Sequence, residues 1–151
     1  MLSKKTKYGL QAMLHLAKKY GHGSVLIADL ASEEGISKKF LETILLNLKN
    51  KGLLQSKRGK GGGYSLNRSP KEITMGEIVR ILEGPLAPVS CVSHSAYRKC
   101  EECQDESVCG IKIVMKEVRD AMVNILDHTT LSDVIQRIST ITERGVLSYS
   151  I

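Results

Sequence analysis

The sequence lacks the features that place a protein in a membrane or outside the cell. No apolar run within its 151 residues approaches the length needed to cross a bilayer. The first residues, MLSKK, lack the apolar core of a secretory signal peptide. We therefore expect a cytoplasmic protein with no membrane partner. In that compartment cysteines more often bind metal or sense redox state than form structural disulfides.

Groups typical of catalysis are also missing as a set. We find no pairing of a nucleophile with a base and no pair of carboxylates that would form an active site. The histidines are dispersed along the chain, at His15, His22, His94 and His128. We therefore expect that the protein is not an enzyme.

Acidic residues are scarce in the front half of the chain. Residues 1–70 carry 13 Lys and Arg against 4 Asp and Glu, a balance of +9. Residues 71–151 carry 9 against 12, a balance of −3, which leaves the net charge of the chain at +6. A basic module joined to a near-neutral one is typical of proteins that bind a polyanion. Lysines scattered for solubility would give the same totals.

Apolar spacing predicts three helices in the front half. The first covers residues 3–20, the second covers 27–34, and the third follows a cap at Ser37 and runs to about Asn50. Two short helices joined by a tight turn at Gly35 describe a helix-turn-helix, which reads DNA with its second helix. Unrelated helical hairpins share this pattern. The predicted buried side of the third helix consists of Phe40, Leu41, Ile44, Leu45 and Leu48.

The stretch SKRGKGGGYSL, residues 56–66, follows these helices. Short alternating runs on either side of the glycines predict a β-hairpin with Arg58 and Lys60 at its tip. Glycines allow positive φ and a close approach to a sugar-phosphate backbone, and the two cations could enter a minor groove or neutralise phosphates. The stretch has no Gly-Lys-Ser/Thr ending and is therefore not a P-loop. A flexible turn with solvated charges is the alternative, but after a helix-turn-helix the hairpin predicts a winged helix.

The rear half is predicted to be helical around an irregular segment. A helix over 74–83 begins with a capping-box spacing, residues 85–108 have little periodicity, and a long helix follows over 108–127. A last helix ends near Gly145, followed by a loose tail. The long helix has an apolar seam of Ile111, Val114, Met115, Val118, Met122, Ile125 and Leu126. Its outward positions are Lys112, Lys116, Glu117, Arg119 and Asp120. The remaining chain is too short to cover the seam, which favours a twofold dimer over packing within the chain.

All four cysteines fall within 19 residues, with the spacing C-x8-C-x2-C-x5-C. Thiolates this close on an irregular loop suit a soft metal or an iron–sulfur cluster. Zinc sites more often show two C-x2-C pairs, and the ferredoxin spacings do not match. A thiol–disulfide switch and unliganded cysteines remain open. His94 lies in the loop and could ligate, although a histidine in a polar loop is more often solvated.

Four segments together resemble the Rrf-type winged-helix regulators, the family that contains IscR-like, NsrR-like and CymR-like proteins. They are TKYGLQAMLHLA, the run from IADLASEEG through RGKGGGYSL, ITMGEIVRILEG, and the cysteine loop followed by TTLSDV. The resemblance covers nearly the whole chain. It implies a mostly α fold with a small β-hairpin: a winged helix-turn-helix domain over 1–84, a cysteine-containing sensor loop over 85–108, and dimerisation and C-terminal helices over 109–151.

The resemblance further implies a homodimeric, sequence-specific regulator of transcription that binds double-stranded DNA, a repressor or an activator. The resemblance implies DNA contacts at Ser37, Lys39, Phe40, Glu42, Arg58, Lys60 and Gly61. We add Lys38, which lies on the polar face of the third helix.

Cluster-bearing relatives imply Cys91, Cys103 and Cys109 as ligands of an iron–sulfur cluster. This chain departs from the family pattern at two positions. The histidine ligand of some members is replaced by Lys112, and no acidic residue stands near Tyr8 in the first helix. The extra Cys100 then becomes the natural fourth ligand, and both 2Fe–2S and 4Fe–4S remain open. The alternative is a cluster-free regulator of the same fold that responds to a small molecule or to thiol oxidation.

Overall fold

A computed structural model describes the backbone of residues 1–149 and the side chains of residues 1–145. That part of the chain contains six α-helices and one antiparallel hairpin, which confirms the predicted mostly α fold. Short 3-10 turns at Ser90–Val92 and Glu106–Val108 flank the irregular segment. The elements are α1 Lys4–Lys18, α2 Ile27–Glu34, α3 Lys38–Asn50, β1 Leu54–Lys57, β2 Gly63–Leu66, α4 Met75–Leu82, α5 Gly110–Asp127 and α6 Leu131–Tyr149. None of the helices in the described part is long and apolar enough to cross a membrane.

Hydroxyl side chains begin several of these helices where the sequence predicts them. Ser37 Oγ accepts the Phe40 amide at 3.2 Å, and Thr74 Oγ1 accepts the Glu77 amide at 3.2 Å. Each bond satisfies an amide that has no partner within its helix. The capping box predicted at α4 is only half formed, because the Glu77 carboxylate pairs with Arg68 instead of returning to the cap.

The core lies where α1, α3, α4 and the hairpin meet. Its largest fully buried side chains are Met13, Leu16, Leu30, Leu41, Ile44, Leu45, Leu48, Leu53, Leu54, Ile73, Ile78 and Leu131. Leu131, the first residue of α6, joins this core, and α6 then packs along α1. Gly9 lets α1 approach α4 closely, because a β-carbon there would overlap the Leu82 side chain. The rear of the chain is therefore anchored to the front half.

Three predicted details are wrong. Phe40 was expected among the buried residues of α3, but it is 36% exposed because it lies on the edge of the helix next to Tyr8. Arg119 was expected to face outward, but it is 8% exposed. The last helix continues through Gly145 to Tyr149. One interior glycine costs a helix only about 1 kcal/mol, too little to end it. Of the predicted tail, residues 150–151 lie outside the described part.

Candidate DNA-binding surface and cysteine pocket

The start of α3 is positively charged and open to solvent. Ser37, Lys38, Lys39 and Glu42 are all exposed. The first turn of α3 contains no acidic residue, so no carboxylate offsets the positive end of the helix dipole. Two lysines at this end are unfavourable for an isolated helix. They become favourable if an anion such as a phosphate docks there.

Phe40 holds the start of α3 against α1. Its ring meets the Tyr8 ring edge to face, with centroids 5.7 Å apart and planes at 80°. Such pairs contribute roughly 0.5–1.5 kcal/mol beyond area burial. The Phe40 ring is also partly exposed, so it packs on Tyr8 while keeping a solvent-facing edge.

The hairpin is paired in a single register, Leu54 to Leu66 through Lys57 to Gly63. Beyond it the chain crosses from Arg58 to Gly62 at the tip. Tyr64 exchanges both backbone hydrogen bonds with Val25, each at 2.8 Å. This bridge attaches the hairpin to the segment that leads into α2, so the wing has a fixed base below its tip.

Gly62 at the tip and Gly63 at the start of β2 are both required by the local backbone. A β-carbon at Gly62 would lie 2.5 Å from the Lys57 carbonyl oxygen and 2.7 Å from that of Gly59. Gly63 has φ of 132°, and a β-carbon there would overlap the Val25 carbonyl. Glycine at these two positions is therefore explained by the turn and by the bridge to Val25, without a ligand. The composition of the tip alone does not distinguish a DNA contact from a tight turn.

The cations at the tip have no carboxylate partner. Arg58 and Lys60 are exposed, as are Lys38 and Lys39. Among residues 1–145, no Asp or Glu lies within ion-pair distance of these four side chains. Their charge is therefore free to interact with an external anion. Gly61 follows Lys60 and precedes the buried Gly62. It is exposed and has a φ of 74°.

The four cysteines line one cavity of about 460 Å³ in front of α5. All four are free thiols; Cys100 is exposed, and Cys91, Cys103 and Cys109 are half-buried. Cys109 is the residue that immediately precedes α5, and the Cys103 amide donates to the Cys100 carbonyl at 3.1 Å. Desolvation, and next the neighbouring Cys109, raise the pKa of the Cys103 thiol. The four predicted cysteine ligands therefore line the same cavity.

A polar cluster borders the same cavity. Tyr97 Oη donates to Glu106 Oε1 at 2.6 Å, a bond that raises the Tyr97 pKa to about 12. Lys112 Nζ lies 3.3 Å from Glu106 Oε2 and 5.9 Å from the centre of the Tyr97 ring. Lys112 therefore places a cation on the cavity wall at the position where the resemblance implies a histidine in some relatives. His94 is exposed and does not line this cavity.

The donor atoms at this cavity include four cysteine thiols. In the described part of the chain, no three His, Cys, Asp or Glu side chains are arranged to hold one metal ion. The thiols surround a cavity instead of converging on a point, and thiolates are the ligands that iron–sulfur clusters use. The residues present are therefore suited to a polynuclear group with several cysteine ligands.

Three polar links connect the cysteine loop to α5, α5 to α4, and α4 to the start of α1. Arg119 Nη1, on α5, donates to the Val92 carbonyl at 2.6 Å, next to Cys91. Arg80 on α4 pairs with Asp127 on α5 at 2.6 and 2.9 Å. The third link joins the end of α4 to the start of α1, where Glu83 Oε2 accepts the Ser3 amide at 3.0 Å, the Ser3 hydroxyl at 2.8 Å and the Thr6 hydroxyl at 2.5 Å.

Sequence reasoning missed these links, because each joins residues far apart in the chain. The position of Arg119 in the sequence does contain one signal of its burial. Arg119 follows Val118 and lies four residues after Met115, at the border of the apolar seam and not opposite it.

Comparison with known proteins gives a consistent result. Residues 2–137 match the profile of the Rrf2 family, described as an iron-dependent transcriptional regulator. The rrf2-like HTH-type regulator of Rhodobacter capsulatus is 41% identical, over 89% of this chain and 92% of that protein. CymR of Bacillus subtilis is 39% identical, over 87% of each chain. NsrR of Bacillus licheniformis is 31% identical, over 89% of this chain and 91% of its own.

Solved structures agree with the sequence matches. The structure of CymR, the global cysteine regulator of B. subtilis, has a TM-score of 0.76 and 36% identity, covering 91% of this chain and 97% of its own. IscR of T. potens has a TM-score of 0.72 and 33% identity, covering 91% and 88%. An oxidised form of Staphylococcus aureus CymR has a TM-score of 0.71 and 34% identity, covering 89% and 94%.

Proposed function

This chain belongs to the Rrf2 family of transcriptional regulators, and we propose that it works in the cytoplasm as a homodimer that binds specific double-stranded DNA sites. Its family and relatives are regulators and not enzymes, and its fold is the winged helix-turn-helix of those neighbours. The observation that carries the proposal is the set of unpaired cations at the start of α3 and at the wing tip. The proposed contact residues are Ser37, Lys38, Lys39, Phe40, Glu42, Arg58, Lys60 and Gly61.

These residues would divide the work of recognition. Lys38, Lys39 and the wing cations are placed to hold phosphates, which positions the protein on the duplex without reading sequence. Ser37 and Glu42, at the exposed start of α3, can reach base edges in the major groove, where a carboxylate accepts a hydrogen bond from cytosine. Gly61, exposed and next to Lys60, would let the tip backbone come close to the sugar-phosphate chain.

The apolar face of α5 supports the homodimer. Ile111 is 69% exposed, Val114 is 51% and Ile125 is 61%, so packing within one chain leaves the seam uncovered. A twofold pairing of α5 with its copy would bury this seam. Two DNA-binding units on one dimer imply half-sites about one helical turn apart. In this proposal residues 1–84 bind DNA, 85–108 sense the signal, and 109–151 dimerise.

We further propose that the cysteine pocket holds an iron–sulfur cluster through Cys91, Cys103 and Cys109, with Cys100 as the fourth ligand. A cluster would supply a centre that reacts to redox state, iron supply or nitric oxide. The shared cavity, the soft donor set and the similarity to NsrR and IscR proteins support this assignment. The Arg119–Val92 hydrogen bond and the Arg80–Asp127 ion pair would carry a change at the loop toward α4.

A second candidate is a cluster-free regulator of the same fold that responds to thiol oxidation or to a small molecule. Its support is the similarity to CymR proteins, one of them determined in an oxidised form. In this case Cys100, the exposed cysteine of the pocket, would be the first thiol reached by an oxidant.

Anaerobic purification separates the two candidates. Iron and sulfide content is measured on wild type and on four single Cys→Ala variants, and operator affinity is measured by gel shift for loaded, apo and oxidised protein. Brown protein that loses its iron in the Cys103→Ala variant supports the cluster. Colourless protein that binds DNA normally until it is oxidised supports the thiol sensor. Equal affinity for DNA in all three states would contradict regulation through these cysteines.

A further inference from the structure

A second cavity, of about 320 Å³, lies under the wing tip. Its walls come from α1, the segment before α2, α2 itself and the wing, and they include His15, Lys19, His22, Asp29 and Glu33. His15 projects from α1 with a side chain only 9% exposed. The DNA-binding proposal gives this buried imidazole and its acidic neighbours no role.

The contact with Glu34 assigns a proton to His15 Nδ1 when that carboxyl is ionised. Nδ1 lies 2.8 Å from Glu34 Oε1, and an ionised carboxylate can only accept a hydrogen bond. In a neutral imidazole the other nitrogen, Nε2, is then an unprotonated acceptor. This nitrogen is buried and has no hydrogen-bond partner in the described residues. A neutral His15 therefore directs an unused lone pair toward the cavity wall.

That lone pair faces a second carboxylate. Glu33 Oε2 lies 3.3 Å from His15 Nε2, within ion-pair distance but outside hydrogen-bond geometry. Two acceptors in contact repel unless a proton or a cation lies between them. Zinc binds nitrogen at about 2.0–2.1 Å and oxygen at about 2.0–2.2 Å. A nitrogen and an oxygen that bind the same tetrahedral zinc ion therefore lie about 3.3–3.5 Å apart. The 3.3 Å separation is compatible with a bridging cation and equally with a protonated His15 paired to Glu33.

The hydrogen bond to Glu34 matches the surroundings of metal-binding histidines. Such histidines almost always donate their other ring N–H to a carboxylate or carbonyl, which fixes the tautomer and orientation of the ring. Here Glu34 occupies that position behind His15, while Glu33 is on the open side and is 57% exposed. Two adjacent glutamates thus differ in role, one orienting the ring and one available as a ligand.

The same cavity offers the remaining donors. Asp29 and His22 are exposed on its wall, and they carry the ligand types that zinc accepts. No three donors converge in the described structure, so these two must rotate toward His15. Lys19 opposes a cation here, but the carboxylates of Asp29, Glu33 and Glu34 outnumber it.

We propose that His15 and Glu33 are the core of a divalent transition-metal site under the wing, oriented by Glu34 and completed by Asp29 and His22. Bound metal would clamp α1 to the end of α2, the first helix of the helix-turn-helix. The site lies apart from the cysteine pocket and does not depend on what that pocket binds.

Zinc titration tests the site in the full chain with all four cysteines changed to serine, which removes the competing thiols. Calorimetry is expected to show one zinc ion per chain. His15→Gln should abolish this binding. Glu34→Gln, which keeps the ligands, should weaken it about 10–100-fold. Glu72→Gln, which removes an exposed carboxylate elsewhere, should leave the affinity unchanged.

A second measurement keeps the test decisive if the serine variant does not fold. In the wild-type chain, zinc is added while the side-chain nitrogen resonances of the histidines are followed by NMR. The proposal expects the His15 Nε2 resonance to shift with zinc, and Glu33→Gln to reduce that shift at the same zinc concentration. Resonances of His15 that stay fixed at saturating zinc, or zinc binding unaffected by His15→Gln, would overturn the site and leave the DNA-binding proposal intact.

Discussion

The wing tip gives the most quantitative prediction. Each phosphate neutralised on duplex DNA contributes about 0.9 to the slope of log affinity against log salt concentration. Lys60 is exposed and has no carboxylate partner in the described structure. A dimer presents this residue twice, so Lys60→Gln should reduce the slope by about 1.8. Between about 50 and 200 mM salt, wild type should then lose about 12-fold more affinity than the variant does.

Fluorescence anisotropy with one operator duplex, repeated over a salt series, measures this slope. Lys116→Gln is the matched control, because it removes the same charge from an exposed position on α5. The control should keep the wild-type slope, and Arg58→Gln added to Lys60→Gln should double the loss to about 3.6. An unchanged slope for the Lys60 variant, or an equal loss in the control, would refute the assignment of the wing cations to phosphates.

Three further changes test the scaffold. Hydrogen bonds from the Thr6 hydroxyl and from the amide and hydroxyl of Ser3 lower the Glu83 pKa to about 2. The stabilising contribution of Glu83 is therefore present above the ordinary pKa of 4.5 and is lost as pH falls toward 2. Glu83→Gln should therefore be less stable than wild type in urea at pH 7, with the difference disappearing in strong acid; a constant difference would contradict this. Gly76→Ala should lower the free energy of unfolding by about 1–3 kcal/mol in urea melts, because the new β-carbon would overlap the Asp127 carboxylate. A gain in stability would show that α4 and α5 are farther apart than in this structure. Ile125→Lys should yield monomers in sedimentation velocity. Leu46→Lys, which places the same charge at an exposed position of α3, should not. A dimeric Ile125→Lys variant would exclude the α5 seam as the interface.

Most helix positions follow from the sequence because their signals are local. Apolar spacing and the cap at Ser37 place α3 at Lys38–Asn50, within a residue of the prediction, and the glycine-rich turn places the hairpin. The long apolar seam of α5 is likewise readable, including the fact that one chain leaves it uncovered.

What the sequence does not reveal depends on contacts between distant segments. Glycine at position 63 has a tertiary cause, because the backbone of Val25 occupies the space of a side chain there. The burial of Arg119 depends on the Val92 carbonyl, 27 residues earlier in the chain. The facing of His15 and Glu33 requires α1 and α2 to pack side by side, which no periodicity of either helix specifies.

The most direct test of the account is the stoichiometry and sequence preference of DNA binding by the full chain. A random duplex pool is selected with the protein, and complexes with the enriched sequence are weighed by analytical ultracentrifugation. The account predicts two protomers per duplex and an inverted repeat with half-sites about one helical turn apart. A monomer, or a protein that enriches no sequence and ignores duplex DNA at modest salt, would contradict it.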